Sequence, residues 1–133
     1  MSRPILFITM MFSLPAFAQL ETVPLFDKLL YTSGKDFLPY RLLKPQSVEP
    51  GKKYPLIIFL HGAGERGADN EIHIKHITET FLDSTNRRKF PCYLIAPQCP
   101  KNVMWASHDR DGRIKPTPSQ VMEQVIALIG KTE

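Results

Sequence analysis

One segment of the chain combines residue types whose backbone could bind a negative charge. The segment His61–Gly67 has glycine at positions 62, 64 and 67 and directly follows the apolar run Leu56–Leu60. Because this run is short, β-branched and aromatic, it predicts a strand that is buried on both faces, as in a parallel sheet. A helical pattern begins near Asn70. Such an order of strand, glycine-rich turn and helix places backbone N–H groups at the C-terminal edge of a sheet, where α/β proteins bind ligands.

The three glycines match the dinucleotide-binding pattern G-x-G-x-x-G, but the surrounding residues argue against that function. Glu65 would bring a carboxylate to the place of the pyrophosphate, and the helix begins after the glycines, at Asp69 or Asn70. The next strand runs into Pro97 and Gln98, so no acidic residue stands where a ribose would be held. We therefore expect no nucleotide and no other cofactor.

The same turn resembles the oxyanion loop of the α/β-hydrolase superfamily. In that superfamily the loop after the third strand begins His-Gly and donates one backbone N–H to the oxyanion of acyl transfer. The likeness covers about Phe37–Ile129 and includes the segment Ile95–Pro100 and Trp105. The likeness is greatest to the secreted group described as predicted peptidases, or as phospholipase/carboxylesterase-like and dienelactone-hydrolase-like proteins. The alternative is a structural turn in an unrelated α/β protein.

The resemblance implies roles for particular residues. Ala63 would donate the oxyanion N–H, Gly62 would shape the loop, and His61 would support that shape without acting as a base. Trp105 lies in a long connection that borders the active site in the family. It would either line a substrate cleft or hold the connection against the core.

The nucleophile, acid and base of such an enzyme are not found in this sequence. The family places G-x-S-x-G at the end of a strand that follows the last helix recognised here. None of the serines at positions 33, 47, 84, 107 and 119 stands in that motif. We therefore expect residues 19–133 to form the N-terminal part of a single hydrolase domain that is inactive alone. A non-catalytic α/β binding or interaction module is the other hypothesis.

Residues 1–18 predict a cleaved export signal. Arg3 precedes the apolar stretch Pro4–Phe12, and Ala16–Ala18 is a small-x-small cleavage site. The mature chain would begin at Gln19 in the periplasm or the medium, with no membrane association after cleavage.

Composition indicates an ordinary globular domain. The full sequence has 17 basic and 13 acidic residues, and loss of Arg3 leaves a mature charge of +3. Basic and aromatic residues do not alternate in a nucleic-acid-binding pattern, so no nucleic-acid partner is expected. The single basic run, Arg87–Lys89, is predicted to be a solvated loop.

Two pairs of residues could suggest a metal site or a disulfide, and both are disfavoured. His73 and His76 lie three residues apart without a third ligand, so they predict a partly exposed helix surface and no metal. Cys92 and Cys99 stand at opposite ends of a predicted strand about 13 Å long. A disulfide requires Cα atoms within about 7 Å. We therefore expect two free, buried or partly buried thiols.

The remaining patterns predict an α/β fold with an antiparallel hairpin followed by parallel strand–helix–strand–helix. The hairpin joins Leu29–Thr32 to Phe37–Leu43, and Tyr93–Ile95 is the later strand. A helix over Glu71–Leu82 would turn four side chains inward. They are Ile72, His76, Ile77 and Phe81. The last helix would start at an N-cap Thr117 and present an apolar face formed by Val121, Met122, Val125, Leu128 and Ile129.

The resemblance also predicts how the isolated chain behaves. In the family, the strand before the His-Gly loop is central, and one neighbour carries the nucleophile. Without that neighbour, Tyr54–Leu60 would form an exposed apolar edge, so we expect aggregation or oligomerisation. The partner of a full-length protein would be a small or polymeric ester or peptide substrate.

Overall fold

The first two strands form the expected hairpin. The computed structural model describes residues 25–131, so the predicted export signal lies outside the described residues. Strand β1 (Phe26–Ser33) pairs antiparallel with β2 (Asp36–Leu43) along its whole length. Gly34 in the turn has φ 61°, a left-handed conformation that glycine adopts without steric cost. The hairpin prediction is confirmed.

Two further strands complete a four-stranded mixed sheet in the order β1-β2-β4-β3. Strand β4 (Tyr93–Pro97) pairs antiparallel with β2 and parallel with β3 (Leu56–Ile58). Since β3 and β4 are parallel, both end at the same edge of the sheet, which is where the glycine-rich segment follows β3. The predicted fold class, an antiparallel hairpin followed by parallel strands with intervening helices, is confirmed.

The sheet separates two apolar cores. On one face, α3 (Gln120–Ile129) packs its buried side chains against the sheet, and Ile95 belongs to this core. On the other face, Leu94 and Ala96 pack against Ile74 and Ile77 from the segment between β3 and β4. Strand β4 supplies both cores because its alternate side chains point to opposite faces.

Strand β3 does not have the burial that its sequence predicts. It is three residues long and lies at the edge of the sheet, where Leu56 and Ile57 remain 38% and 37% exposed. The expectation of a strand buried on both faces is therefore wrong for this structure. The apolar run indicates that this strand is suited to burial. Whether it is buried depends on a neighbouring strand on its open side, which the described residues do not provide.

The helix predicted over Glu71–Leu82 is interrupted. A 3₁₀ turn (Ile72–Ile74) precedes the short helix α1 (Thr78–Leu82), and a separate helix α2 (Ser84–Lys89) follows. The Asp83 carboxylate accepts a hydrogen bond from the Asn86 N–H at 2.8 Å and so starts α2. The basic run therefore forms the end of a helix and is not a loop.

This interruption changes which side chains face the core. Ile72 and His76 are exposed although an α-helix would bury them, whereas His73 and Ile74 are buried. The 3₁₀ turn has about three residues per turn instead of 3.6, which rotates the apolar face. Ile77 is buried as expected, and the proposed exposed position of His73 is wrong.

The connection after β4 also contains unexpected structure. Strands β5 (Ala106–His108) and β6 (Ile114–Pro118) form a small antiparallel sheet within it. Because β6 extends through Pro118, α3 starts later than the sequence predicts. Ser119 is its N-cap and accepts a hydrogen bond from the Met122 N–H at 3.2 Å, so the assignment of Thr117 is wrong. The apolar face of α3 is as predicted.

Both cysteines are free, as expected. Cys92 is partly buried and Cys99 is buried, and burial raises the pKa of each thiol. Neither thiol is therefore activated as a nucleophile.

None of the helices within residues 25–131 has the length and apolar character of a membrane-spanning segment.

Candidate functional site

The glycine-rich segment forms a tight turn at the C-terminal edge of the sheet. The Phe59 N–H still donates to the Ile95 carbonyl at 2.9 Å, so pairing with β4 continues almost to the turn. A 3₁₀ turn (Ala63–Glu65) then begins with Gly62 as its N-cap in an extended conformation. Ala63 is exposed, and within residues 25–131 its N–H donates to no group. A free amide at the start of such a turn is available to an anionic ligand.

His61 holds the start of this turn. Its ring is 4% exposed, and Nε2 accepts a hydrogen bond from the Cys99 N–H at 2.9 Å. The proton is therefore on Nδ1, which donates to the Gly62 carbonyl at 2.7 Å. With both nitrogens engaged in structural bonds, the ring supports the loop, as the resemblance implied, and has no free nitrogen for general-base catalysis.

Trp105 lies against His61. Its indole N–H donates to the His61 carbonyl at 2.9 Å, and the two rings meet edge to face with centroids 5.3 Å apart. The hydroxyl of Ser119 donates to the Trp105 carbonyl at 2.7 Å, which ties the start of α3 to the same point. The structure therefore brings Trp105 to the predicted loop, half-buried and anchored to its first residue.

Gln98 holds the second half of the loop. Its fully buried side chain accepts from the Asn70 N–H at 2.6 Å and donates to the Glu65 carbonyl at 3.2 Å. Its Nε2 also donates to the Asp69 carboxylate at 3.3 Å. A Cβ at position 67 would lie 3.0 Å from this Nε2, so a larger residue there would require the hydrogen-bonded amide of Gln98 to shift.

Asn70 connects the loop to the hairpin. It adopts φ 56°, and its side-chain amide donates to the carbonyls of Leu29 (3.0 Å) and Tyr40 (3.1 Å). Arg41, 5% exposed, donates from Nε to the Asn70 carbonyl at 2.6 Å. These contacts explain why the loop ends at a fixed point on the sheet. A buried arginine on a strand carries no local sequence signal, so the sequence alone does not reveal this role of Arg41.

His73 lies below the loop and is fully buried. Its Nε2 donates to the Ala96 carbonyl at 2.9 Å, and its ring contacts that of His61 edge to face. Burial lowers the pKa of His73 from 6.5 to about 4, with smaller contributions from the nearby His61 and Arg41. The side chain is therefore neutral at physiological pH.

The histidine pair does not form a metal site in this geometry. His73 uses Nε2 for the Ala96 carbonyl, whereas His76 is exposed and lies 3.4 Å from the Glu65 carboxylate. Across residues 25–131, no group of three or more His, Cys, Asp or Glu is placed to hold a metal ion.

Glu65 disfavours a phosphate ligand at the turn. Its side chain is 14% exposed, and its carboxylate contacts Lys75 at 3.8 Å. A Cβ at position 62 would lie 3.1 Å from the other carboxylate oxygen, which shows how closely this charge approaches Gly62. A pyrophosphate would therefore meet a negative charge beside the first glycine, consistent with the rejection of a dinucleotide site.

Comparison with known proteins supports a hydrolase-like fold. The chain is similar to a thermostable esterase of known crystal structure, with 33% sequence identity and a TM-score of 0.70. The similarity covers 83% of this chain and 30% of the esterase chain. No protein-family model matches the chain, and no curated protein matches it.

These findings support placing the chain in the α/β-hydrolase superfamily. The mixed sheet, the turn after β3 and the esterase likeness agree on this class. The chain spans about a third of the length of that esterase, as 30% coverage shows.

Proposed function

We propose that this chain supplies the oxyanion loop of an exported serine hydrolase that cleaves carboxylic esters or peptides through an acyl-enzyme. The observation that carries the proposal is the N–H of the exposed residue Ala63, which has no hydrogen-bond partner within residues 25–131 and follows the hydrogen-bonded pair His61 and Gly62. The likeness to an esterase favours esters over peptides as the substrate class.

The loop would act on the charge that develops during acyl transfer. When a nucleophile attacks the ester carbonyl, the carbonyl oxygen becomes an oxyanion, and the Ala63 N–H donates a hydrogen bond to it. The His61 bonds to Gly62 and Cys99 hold that N–H in place before the reaction, so little reorganisation is needed. The nucleophile, acid and base would come from outside residues 25–131, since no serine of this sequence stands in G-x-S-x-G.

We further propose that Trp105 forms one wall of the substrate cleft. It is half-buried beside His61, so one part of the indole is anchored while the rest stays accessible. In a complete enzyme, Trp105→Phe would then raise KM for esters with a large acyl group more than KM for acetate esters. An equal change in both KM values would restrict Trp105 to a structural role.

Export of the protein is part of the proposal and rests on the signal-like residues 1–18. Mass spectrometry of the exported protein should find Gln19 as the N-terminal residue. An intact Met1 terminus would contradict export by this signal.

The nucleotide sequence that follows the codon for Glu133 provides the first test of the proposed function. Sequencing beyond the codon for Glu133 should reveal, in some frame, a strand that ends in G-x-S-x-G. An unrelated gene directly after this codon would favour the non-catalytic binding module.

The 133-residue chain itself should not be labelled by a fluorophosphonate probe, because it lacks an activated serine.

In the protein with that continuation, Ala63→Pro removes the proposed donor. Gly62 has φ −78° and ψ 179°, an extended conformation that a following proline accepts, so the turn should be retained. We expect kcat to fall by about 10²–10³. Ala63→Gly keeps the N–H and is the matched control. Near-normal kcat in a folded Ala63→Pro protein would remove Ala63 from the mechanism.

A further inference from the structure

A carboxylate lies beside the proposed oxyanion donor. Glu65 ends the same 3₁₀ turn that begins with Ala63, and a Cβ on Gly62 would lie 3.1 Å from Glu65 Oε2. Covalent bond lengths and angles then place Oε2 within about 7 Å of the Ala63 nitrogen. An oxygen atom that accepts a hydrogen bond from this N–H would thus lie within about 10 Å of a negative charge.

The backbone of Glu65 is fixed from both sides. Its N–H donates to the Gly62 carbonyl at 3.3 Å, and its carbonyl accepts from the buried side chain of Gln98 at 3.2 Å. The side chain itself is only 14% exposed. The carboxylate therefore has little freedom to move away from the turn into solvent.

The charge of Glu65 is only partly compensated. Among residues 25–131, the basic side chains within 4.0 Å of the carboxylate are Lys75 at 3.8 Å and His76 at 3.4 Å. Both contacts are made by Oε1, and both are longer than the about 2.7–2.9 Å of a charge-assisted hydrogen bond. Lys75 and His76 are 50% and 66% exposed, so solvent weakens their effect. Oε2, the oxygen next to Gly62, has no basic partner within the same residues.

Arg66, the next residue, does not cancel this charge by direct contact. It forms no ion pair with Glu65 within 4.0 Å, and its guanidinium lies near the thiol of Cys99. The field of Glu65 also remains effective at the Ala63 nitrogen, because the screening length at physiological ionic strength is about 8 Å. The turn therefore offers an N–H donor to the reacting carbonyl and a negative field to the groups around that carbonyl.

We propose that Glu65 selects substrates by charge. The enzyme favours esters that are neutral or cationic near the scissile carbonyl, and it disfavours esters with a carboxylate within a few bonds of that carbonyl, because like charges repel. This inference rests on the proposed oxyanion role of Ala63 and adds a substrate class to it. It also gives a function to the acidic residue that makes this turn unsuitable for a phosphate.

Three esters of one alcohol, with acyl chains of similar length, test the proposal in the protein with its continuation beyond Glu133. The acyl groups are the monoanion of succinate, neutral pentanoate and a trimethylammonium-substituted butanoate. We expect kcat/KM for the succinate ester to be at least about tenfold below that for the cationic ester, with the pentanoate ester between them. The oxyanion is common to all three esters, so its own interaction with Glu65 cancels in the ratio. Salt at about 1 M should reduce the ratio, because the screening length falls to about 3 Å, and a ratio that does not respond to salt would overturn the proposal.

Glu65→Gln removes the charge and keeps the size of the side chain. It should reduce the ratio of cationic to anionic kcat/KM by at least about fivefold. Glu79→Gln, at an exposed position on α1, makes the same change in net charge and should leave the ratio unchanged. The salt dependence of the unsubstituted protein decides the question where Glu65→Gln does not fold.

The outcomes separate this inference from the proposed function. If both variants retain the ratio of the unsubstituted protein while hydrolysis still requires the Ala63 N–H, Glu65 does not select substrates and only this inference fails. If the protein hydrolyses none of the three esters, or hydrolyses them equally well after Ala63→Pro, the proposed function and this inference fail together.

Discussion

At the scale of single residues, the oxyanion loop depends on one histidine that contacts three segments. His61 accepts from the Cys99 N–H, donates to the Gly62 carbonyl and offers its own carbonyl to Trp105. The ring therefore joins the end of β3, the turn and the connection after β4. Its contribution is structural, because a ring with both nitrogens occupied cannot accept a proton from a substrate or nucleophile.

We predict that His61→Ala lowers the free energy of unfolding by about 2–3 kcal/mol, since it leaves the buried Cys99 N–H without an acceptor. Urea unfolding monitored by circular dichroism measures this change. The control is His76→Ala at a position where the side chain is 66% exposed, and it should shift stability by at most about 0.5 kcal/mol. Similar effects of the two substitutions would contradict the role of His61.

His73 makes stability depend on pH. In the unfolded chain its pKa is 6.5, and in the folded chain burial lowers the pKa to about 4. Between these values the unfolded state binds more protons, so stability is fully present above about pH 6.5 and falls as the pH decreases towards 4. The charged and polar groups that face it include Asp69, His61, Arg41 and the Ala96 carbonyl.

We predict a loss of about 2 kcal/mol between pH 7 and pH 5 from this residue. His73→Gln retains a donor for the Ala96 carbonyl but does not titrate, so its stability should vary less over this interval. Urea unfolding midpoints at both pH values provide the comparison. Parallel pH dependence in the two proteins would show that other groups are responsible.

At the scale of elements, the start of α3 shows how tertiary contacts decide between neighbouring caps. Thr117, Pro118 and Gln120 match a capping box, but β6 extends to Pro118 and keeps Thr117 in a strand. Ser119 then becomes the cap, and its hydroxyl both accepts from the Met122 N–H and donates to the Trp105 carbonyl.

We predict that Ser119→Ala destabilises the protein by about 1 kcal/mol, because it removes both bonds at the start of α3. Thr117→Ala should have little effect, since its exposed side chain caps nothing in the structure. Thermal unfolding of the two variants distinguishes the cap that the structure contains from the cap that the sequence predicts. A larger effect at Thr117 would reverse the assignment.

At the scale of the whole molecule, the sheet ends in an apolar edge. Leu56, Ile57 and Leu60 are 38%, 37% and 40% exposed, and β3 pairs on one side only within the described residues. Unpaired strand edges with apolar side chains favour association with other chains. The expected self-association of the isolated chain follows from this arrangement.

We predict that the purified chain from Gln19 to Glu133 is oligomeric or aggregated. Leu60→Lys places a charge beside the edge and should lower the mean mass measured by light scattering. Ile114→Lys, at a position 73% exposed on β6, tests whether any added charge has this effect. A monodisperse monomer for the unsubstituted chain would refute the prediction and favour a self-contained binding module.

Local patterns in the sequence were sufficient to predict the elements whose structure depends on residues close together in the chain. The hairpin was predictable because Ser33–Asp36 is a turn signal between two strand patterns, and the face of α3 was predictable from its 3.6-residue period. The His-Gly turn after β3 was also predictable, since glycine marks a sharp turn wherever it follows a buried strand pattern.

The network that holds the candidate site could not be predicted, because its members are distant in sequence. Gln98, Asn70 and Arg41 come from the end of β4, the loop and the hairpin, and only folding brings them within hydrogen-bond distance. The local pattern of β3 predicts burial on both faces, so its exposure could be expected only from the family resemblance, in which this strand pairs with a further neighbour. The sequence by itself determined the turn and the strand pattern before it, whereas the tertiary structure decided which groups hold the turn and which edge of the sheet stays open.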